Sequence, residues 1–222
     1  MKSLILYSTI LGGFYAQSEA LTKAVNAARH EAGEDLWKRG YSGNDPKGST
    51  LIAKKYFRVE NIEAIVPEGE LQHVGFVTNR DTARNVYPKL RVGLTALDGV
   101  QFLLSLDVKT DVAQRLIGKL DNCFPGQPIK VSAWPTTVQR DGRTFVNHAV
   151  SVKGFDGKEI PTNSAFSASV KEICNGVEVA LKSAGIADKK VIATAKATRR
   201  VDAYKDMLIK IQSVFLVAAP TV

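Results

Sequence analysis

Cysteine is scarce: Cys123 and Cys174 are the two in 222 residues. They stand far apart, with no CxxC or CxxH beside them, which speaks against zinc and against a scaffold held by many disulfides. Two reduced thiols in a cytoplasmic protein are the preferred reading, with a single disulfide as the alternative. Histidine is scarce too. His30, His73 and His148 fall at no metal-ligand spacing, so neither a metal nor a cofactor is expected. The chain has no GxSxG, Walker A or GxGxxG stretch. Its acidic residues fall mostly at turns, where Asp-Gly has a local explanation, and we expect no enzyme. No run of about 20 apolar residues is present, so no membrane-spanning helix is expected.

The N-terminal stretch MKSLILYSTILGGFYAQSEA has a lysine, an apolar run and small residues, as secretory signals do. Tyr7, Ser8 and Thr9 interrupt the run, and a strand or anchoring segment is the preferred reading.

Positive charge is in excess, with a net +8. Residues 1–67, 68–161 and 162–222 carry +2, +2 and +4, so the last part is the most basic. Such a balance suits a polyanionic partner.

Residues 17–39 have apolar residues at helical spacing. Gly40 to Thr50 is a loop rich in Gly, Ser, Asn, Asp and Pro, open to motion. The stretch after it, LIAKKYFRVENIEAIVP, is dense in β-formers. From Glu68 the alternation becomes regular. Residues 71–79 read as a strand. In 88–97, Leu90, Val92, Leu94 and Ala96 share one face, while Lys89 and Arg91 take the other. Asp98-Gly99 is a hairpin turn, and 100–107 returns with Phe102, Leu104 and Leu106 on one face. Residues 109–122 carry Val112, Leu116 and Leu120 every fourth position, a short amphipathic helix. Residues 129–138 and 143–154 form two strands around Asp141-Gly142. Helical stripes follow at 165–184 and 198–217. Between them Lys189 to Arg200 has five cations and no acid, either a solvated segment or an extension of a binding surface.

The order strand, strand, strand, helix, strand, strand over 68–161 is that of an OB-fold: a five-stranded barrel with a helix between its third and fourth strands. SH3-like barrels and small α+β folds share parts of it. The expected class is therefore mainly β with flanking helices, α+β overall. Its parts are an N-terminal helical or extended extension (1–67), the OB-fold domain (68–161) and a basic helical C-terminal extension (162–222).

EGELQHVGFVTNRDTARNVYPKLRVGLTALDGVQFLLSLDVKTDVAQRLIGKL resembles the core of the OB-fold single-stranded DNA-binding proteins of tailed bacteriophages. Its E-G-x-L opening, polar loop, strand ending at D-G and amphipathic helix follow that pattern. The likeness continues into PIKVSAWPTTVQRDGRTFVNHAVSVKGFDGKEIP, with an aromatic followed by Pro and a basic hairpin tip. It covers 68–161, under half the chain. It implies sequence-independent binding of single-stranded DNA in replication, recombination or repair, and the cytoplasm of a phage-infected host. Many such proteins end in an acidic, partner-recruiting tail. This chain ends MLIKIQSVFLVAAPTV, so that role does not carry over.

Binding a strand without regard to sequence takes cations for the phosphates and aromatic faces for the bases. Lys89 and Arg91 lie opposite the apolar stripe of their strand. Lys130 and Trp134 share a face opposite Ile129 and Val131; Trp134 either stacks a base or packs under a terminal segment. Phe145 is either a second stacking ring or a core residue. Arg140 and Arg143 flank the hairpin turn, and Arg80 and Arg84 sit in the first interstrand loop. Tyr87 and Phe76 are further aromatic candidates, and KKYFR (54–58) interleaves the two chemistries outside the resemblance. The terminal helices suit self-association. The competing reading is a structural or assembly protein, virion-related, whose barrel packs protein; an oligosaccharide-binding module or a hydrolase ranks behind it.

Overall fold

The computed structural model describes residues 2–80, 82 and 84–217, and omits the side chains of Arg140 and Arg143. The chain opens with an antiparallel hairpin, β1 (Lys2–Ser8) and β2 (Gly13–Ala16). The apolar run at the N-terminus is thus a strand, with Ile5 fully buried. Three helices follow: α1 (Glu19–Ala32), α2 (Glu34–Lys38) and α3 (Ser49–Val59). Ser18 caps α1 by accepting the Leu21 N–H at 3.0 Å.

The Gly-rich loop between α2 and α3 is pinned. The Ser42 and Thr50 backbone amides each donate to the other's side-chain oxygen, at 2.8 and 3.0 Å. The Thr50 hydroxyl donates in turn to the Ile10 carbonyl at 2.9 Å. The β-forming residues after Thr50 coil into α3 because Ala53 and Phe57, one turn apart, are buried beside α1 and the first hairpin. Tertiary burial outweighs the weak β preference.

The regular region forms β3 (Glu68–Arg80), β4 (Val86–Thr95), β5 (Gln101–Asp107), α4 (Asp111–Leu120), β6 (Pro128–Arg140) and β7 (Arg143–Gly154), in the expected element order. Two helices close the chain, α5 (Ser164–Ser183) and α6 (Lys189–Val217). The fold is mixed α and β around a curled half-barrel sheet. The sheet has seven strands where five were expected, in the order β2-β1-β5-β4-β3-β6-β7. The two additional strands come from the N-terminal hairpin: β1 pairs in parallel with the free edge of β5, from Lys2 opposite Gln101 to Ile5 opposite Leu104. An unpaired strand edge is a liability, and Ile5 and Phe14 bring apolar side chains to the core behind it.

That core joins Leu71 and Val74 of β3, Leu90, Val92 and Leu94 of β4, and Leu104 and Leu106 of β5 to the apolar face of α4. Each fully buried Leu or Val contributes about 1.5–3 kcal/mol relative to exposure. Lys119 of α4 is buried with its charge met: its Nζ lies 2.6 Å from Glu159 Oε1 and donates to the Ile160 carbonyl at 2.9 Å. β6 pairs with β3 only through Pro128–Lys130. Beyond that the strands part, and α6 takes the vacated edge. Met207, Leu208, Ile211 and Phe215 enter the core, and Gln212 Oε1 accepts the Phe76 N–H at 3.2 Å. The cation-rich stretch 189–200 is the first part of this helix, whose helical stripe was expected to begin at 198. No helix among the described residues is long and apolar enough to cross a membrane.

The curled sheet comes back on itself. The Tyr7 hydroxyl meets His148 Nδ1 at 2.7 Å, the rings edge to face at 5.4 Å. Burial raises the Tyr7 pKa, with Tyr15 adding to the effect, and burial also lowers that of His148. Both shifts favour neutral partners, with the hydroxyl donating to Nδ1. Gly12, at φ +72°, lies under Pro135, where an added Cβ would come 2.2 Å from Pro135 Cδ.

Two outcomes are expected. Gly12→Ala lowers stability by about 1–3 kcal/mol in denaturant melts, and an unchanged midpoint would show the two ends of the sheet to be independent. The depressed His148 binds its proton more readily in the unfolded chain. Its contribution is complete above the ordinary value of 6.5 and is lost as pH falls through the lower folded value. His148→Asn therefore flattens the rise of melting temperature with pH below neutrality. Some slope persists from His73, whose pKa is also lowered by burial.

Candidate nucleic-acid interface

The register of the β6–β7 ribbon decides which side chains share a face. Lys130 pairs with Lys153, Ser132 with Ser151, Trp134 with Ala149, Thr136 with Asn147 and Val138 with Phe145. The inner face holds Val131, Val150 and Val152 against the core. The outer face therefore carries Lys130, Trp134, Phe145 and Lys153 together. Trp134 is 44 % exposed and Phe145 48 %. Neither ring is in a core cluster, although each had a packing alternative on sequence alone. Four residue rises separate them along the ribbon, about 13 Å.

The ribbon's tip closes with Asp141 and Gly142 both in the left-handed region, at φ +50° and +69°, as a two-residue hairpin turn requires. Arg140 and Arg143 are backbone partners beside it; their side chains lie outside the described residues. At the other end Lys130 Nζ sits 2.8 Å from Glu68 Oε2, with both side chains about half exposed. Such a pair is worth at most about 1 kcal/mol and leaves the ammonium available to a competing phosphate.

A second group lies on the outer face of β4. Lys89 Nζ stands 3.7 Å from Asp107 Oδ2 and 5.7 Å from the Tyr87 ring centre. Lys109, which was not among the sequence candidates, approaches the same ring at 5.9 Å. Arg91 is half-buried, between Gly75 and Ser105 on the flanking strands. Arg80 and Arg84 are exposed near the β3–β4 turn, Arg84 at φ +62°. The ribbon group and the β4 group belong to one sheet, but β6 leaves β3 after Lys130, so the structure forms two patches.

Two other candidates are engaged elsewhere. Phe76 packs against the core. In the KKYFR stretch Phe57 is buried, while Lys55 and Tyr56 bind Glu31 at 2.9 and 2.6 Å. Lys153, not among the sequence candidates, shares the face of Phe145 by alternation, and the register with β6 sets it opposite Lys130. Cys123 and Cys174 are free thiols, and burial pushes the Cys123 pKa up to about 12, leaving it unreactive. Comparison of the chain with family models, with curated proteins and with solved structures returns no match.

Half-exposed rings contribute little to folding. Trp134→Ala and Phe145→Ala should each change stability by no more than about 1 kcal/mol, measured by thermal melts. A larger loss would assign the rings to packing.

Proposed function

We propose that this protein binds single-stranded DNA without sequence preference, through the outer face of the β6–β7 ribbon. The observation that carries the reading is the pair of half-exposed rings, Trp134 and Phe145, on the same face as Lys130 and Lys153. Base stacking on such rings contributes about 1–3 kcal/mol per base, whatever the base, and the cations meet the phosphates. The patch formed by Tyr87, Lys89 and Arg91 would carry the strand further across the sheet.

In this reading residues 68–161 are an OB-type barrel. The support is the order of its elements, the helix between its third and fourth strands, and the antiparallel pairing of β3 with β6 at their starts. The protein would act in replication, recombination or repair of a phage type, in the host cytoplasm. Self-association would use apolar residues that α5 and α6 leave open, such as Val179 and Leu216.

A second reading, a structural or assembly protein, draws on the end of the ribbon away from its tip, beside Lys130 and Lys153. There Leu97 is 99 % exposed and Phe155 89 % exposed, beside a pocket of about 270 Å³. Large open apolar side chains at turn tips suit a protein contact.

Titration with a dT oligonucleotide separates the two. In a Trp37→Phe background the remaining indole is Trp134, and its fluorescence should be quenched on binding. Trp134→Ala should weaken binding roughly 5- to 150-fold, the equivalent of about 1–3 kcal/mol. Affinity should fall with salt, by about 0.7 in log-log slope for each phosphate contact. Absence of binding at about 50 mM salt sinks the DNA reading and favours the second.

A further inference from the structure

α4 is two-sided. Val112, Leu116, Ile117 and Leu120 face the sheet. On its other side Arg115 faces a cleft of about 400 Å³ enclosed by α4, α5 and α6. Three cations from three helices meet there: Arg115, Lys171 of α5 and Arg200 of α6. All three are exposed, and among the described residues none has an ion-pair partner. A fourth cation of the lining, Lys196, is held by Glu178. The acid of the lining is Asp111.

Three unpaired cations against Asp111, the acid of the lining, leave the cleft net positive, which favours an anion seated among them. Tyr204 also lines the cleft, and its ring is taken edge to face by Phe166 at 5.1 Å. Cations outnumber aromatic rings in the lining, which suits phosphate groups over bases.

The cleft is not an isolated cup. A neighbouring depression of about 570 Å³ shares Asp111, Gln114 and Arg200 with it and runs on past the Lys205–Asp202 ion pair to Lys109 and the β3–β4 hairpin. Such a trough fits a chain of phosphates better than a single one. The ribbon rests its inner face on the core that α4 completes, so trough and ribbon rings lie on opposite sides of that layer.

We infer that the trough running from the α4–α5–α6 cleft to Lys109 binds the phosphodiester backbone of a nucleic-acid strand, as a site separate from the aromatic ribbon. The identity of the polyanion rests on the single-stranded DNA reading. With both sites filled, one molecule holds two stretches of strand, one by its bases and one by its phosphates.

The test compares wild type, the triple variant R115A/K171A/R200A and the ring variant W134A/F145A, using a fluorescently labelled dT oligonucleotide across a salt series. The triple variant should lose about 2 in the log-log salt slope, for three phosphate contacts at about 0.7 each. It should keep the quenching of Trp134. The charge-preserving variant R115K/K171R/R200K should restore the slope, which a folding defect would not allow. The ring variant should lose affinity and keep the slope. An unchanged slope in the triple variant, with Trp134 still quenched, overturns the trough and leaves the ribbon standing. Loss of slope without any Trp134 quenching in wild type upholds the trough and removes the ribbon. Inorganic phosphate that binds the wild type but not the triple variant, while the oligonucleotide slope is the same for both, overturns the backbone site in favour of a small-anion site.

Discussion

The architecture depends on how the curled sheet closes. A sheet of seven strands that bends into a half-barrel has to do something with its two ends, and here they are brought together by side chains and not by a ladder. Tyr7 of the first strand reaches His148 of the last, and Gly12 passes beneath Pro135 with no room for a Cβ. Phe14 sits between Tyr7 and the core, its ring edge to face with Tyr7 at 5.3 Å. A half-buried hydroxyl and a half-buried imidazole would each lose part of their hydration alone; paired and neutral, they satisfy one another. The N-terminal hairpin is part of this closure, and its apolar residues lie in the same core as those of the regular region.

α4 and the hairpin cover the inner side of the ribbon, and its outer side leaves Trp134 and Phe145 outside the core. Val131, Val150 and Val152 point inward, and strict alternation sends Trp134 and Phe145 the other way. Two rings left half-open add little to folding, and water contact with an aromatic face is unfavourable until something covers it. The proposed strand does so with bases.

In the N-terminal helices Lys23, Arg29 and Lys55 are all matched, by Glu60, Glu34 and Glu31. The hydrogen bonds these glutamates accept hold Glu31 and Glu34 below their ordinary pKa. Glu178 does the same between α5 and α6, where Lys182 and Lys196 draw its pKa down to about 2. Among the described residues Arg115, Lys171 and Arg200, which line one cleft, have no such match.

Much of this was legible in the sequence wherever a local rule governs. Alternation gave the faces of β4 and β5, four-residue spacing gave α4, and Asp-Gly pairs gave two hairpin turns; each depends on a residue and its near neighbours. The outward side of Lys130 and Trp134 followed from the same alternation. Other features depend on partners distant in the chain. That β1 would take the edge of β5, that Phe57 would bury as part of a helix, and that Phe145 and Lys153 would share a face with Trp134 are matters of pairing and register. The meeting of Arg115, Lys171 and Arg200 is more remote still, since 85 positions separate the first from the last. Local patterning determined what each segment is; only long-range packing, which a one-dimensional pattern does not encode, decided which segments meet and which surfaces they leave open.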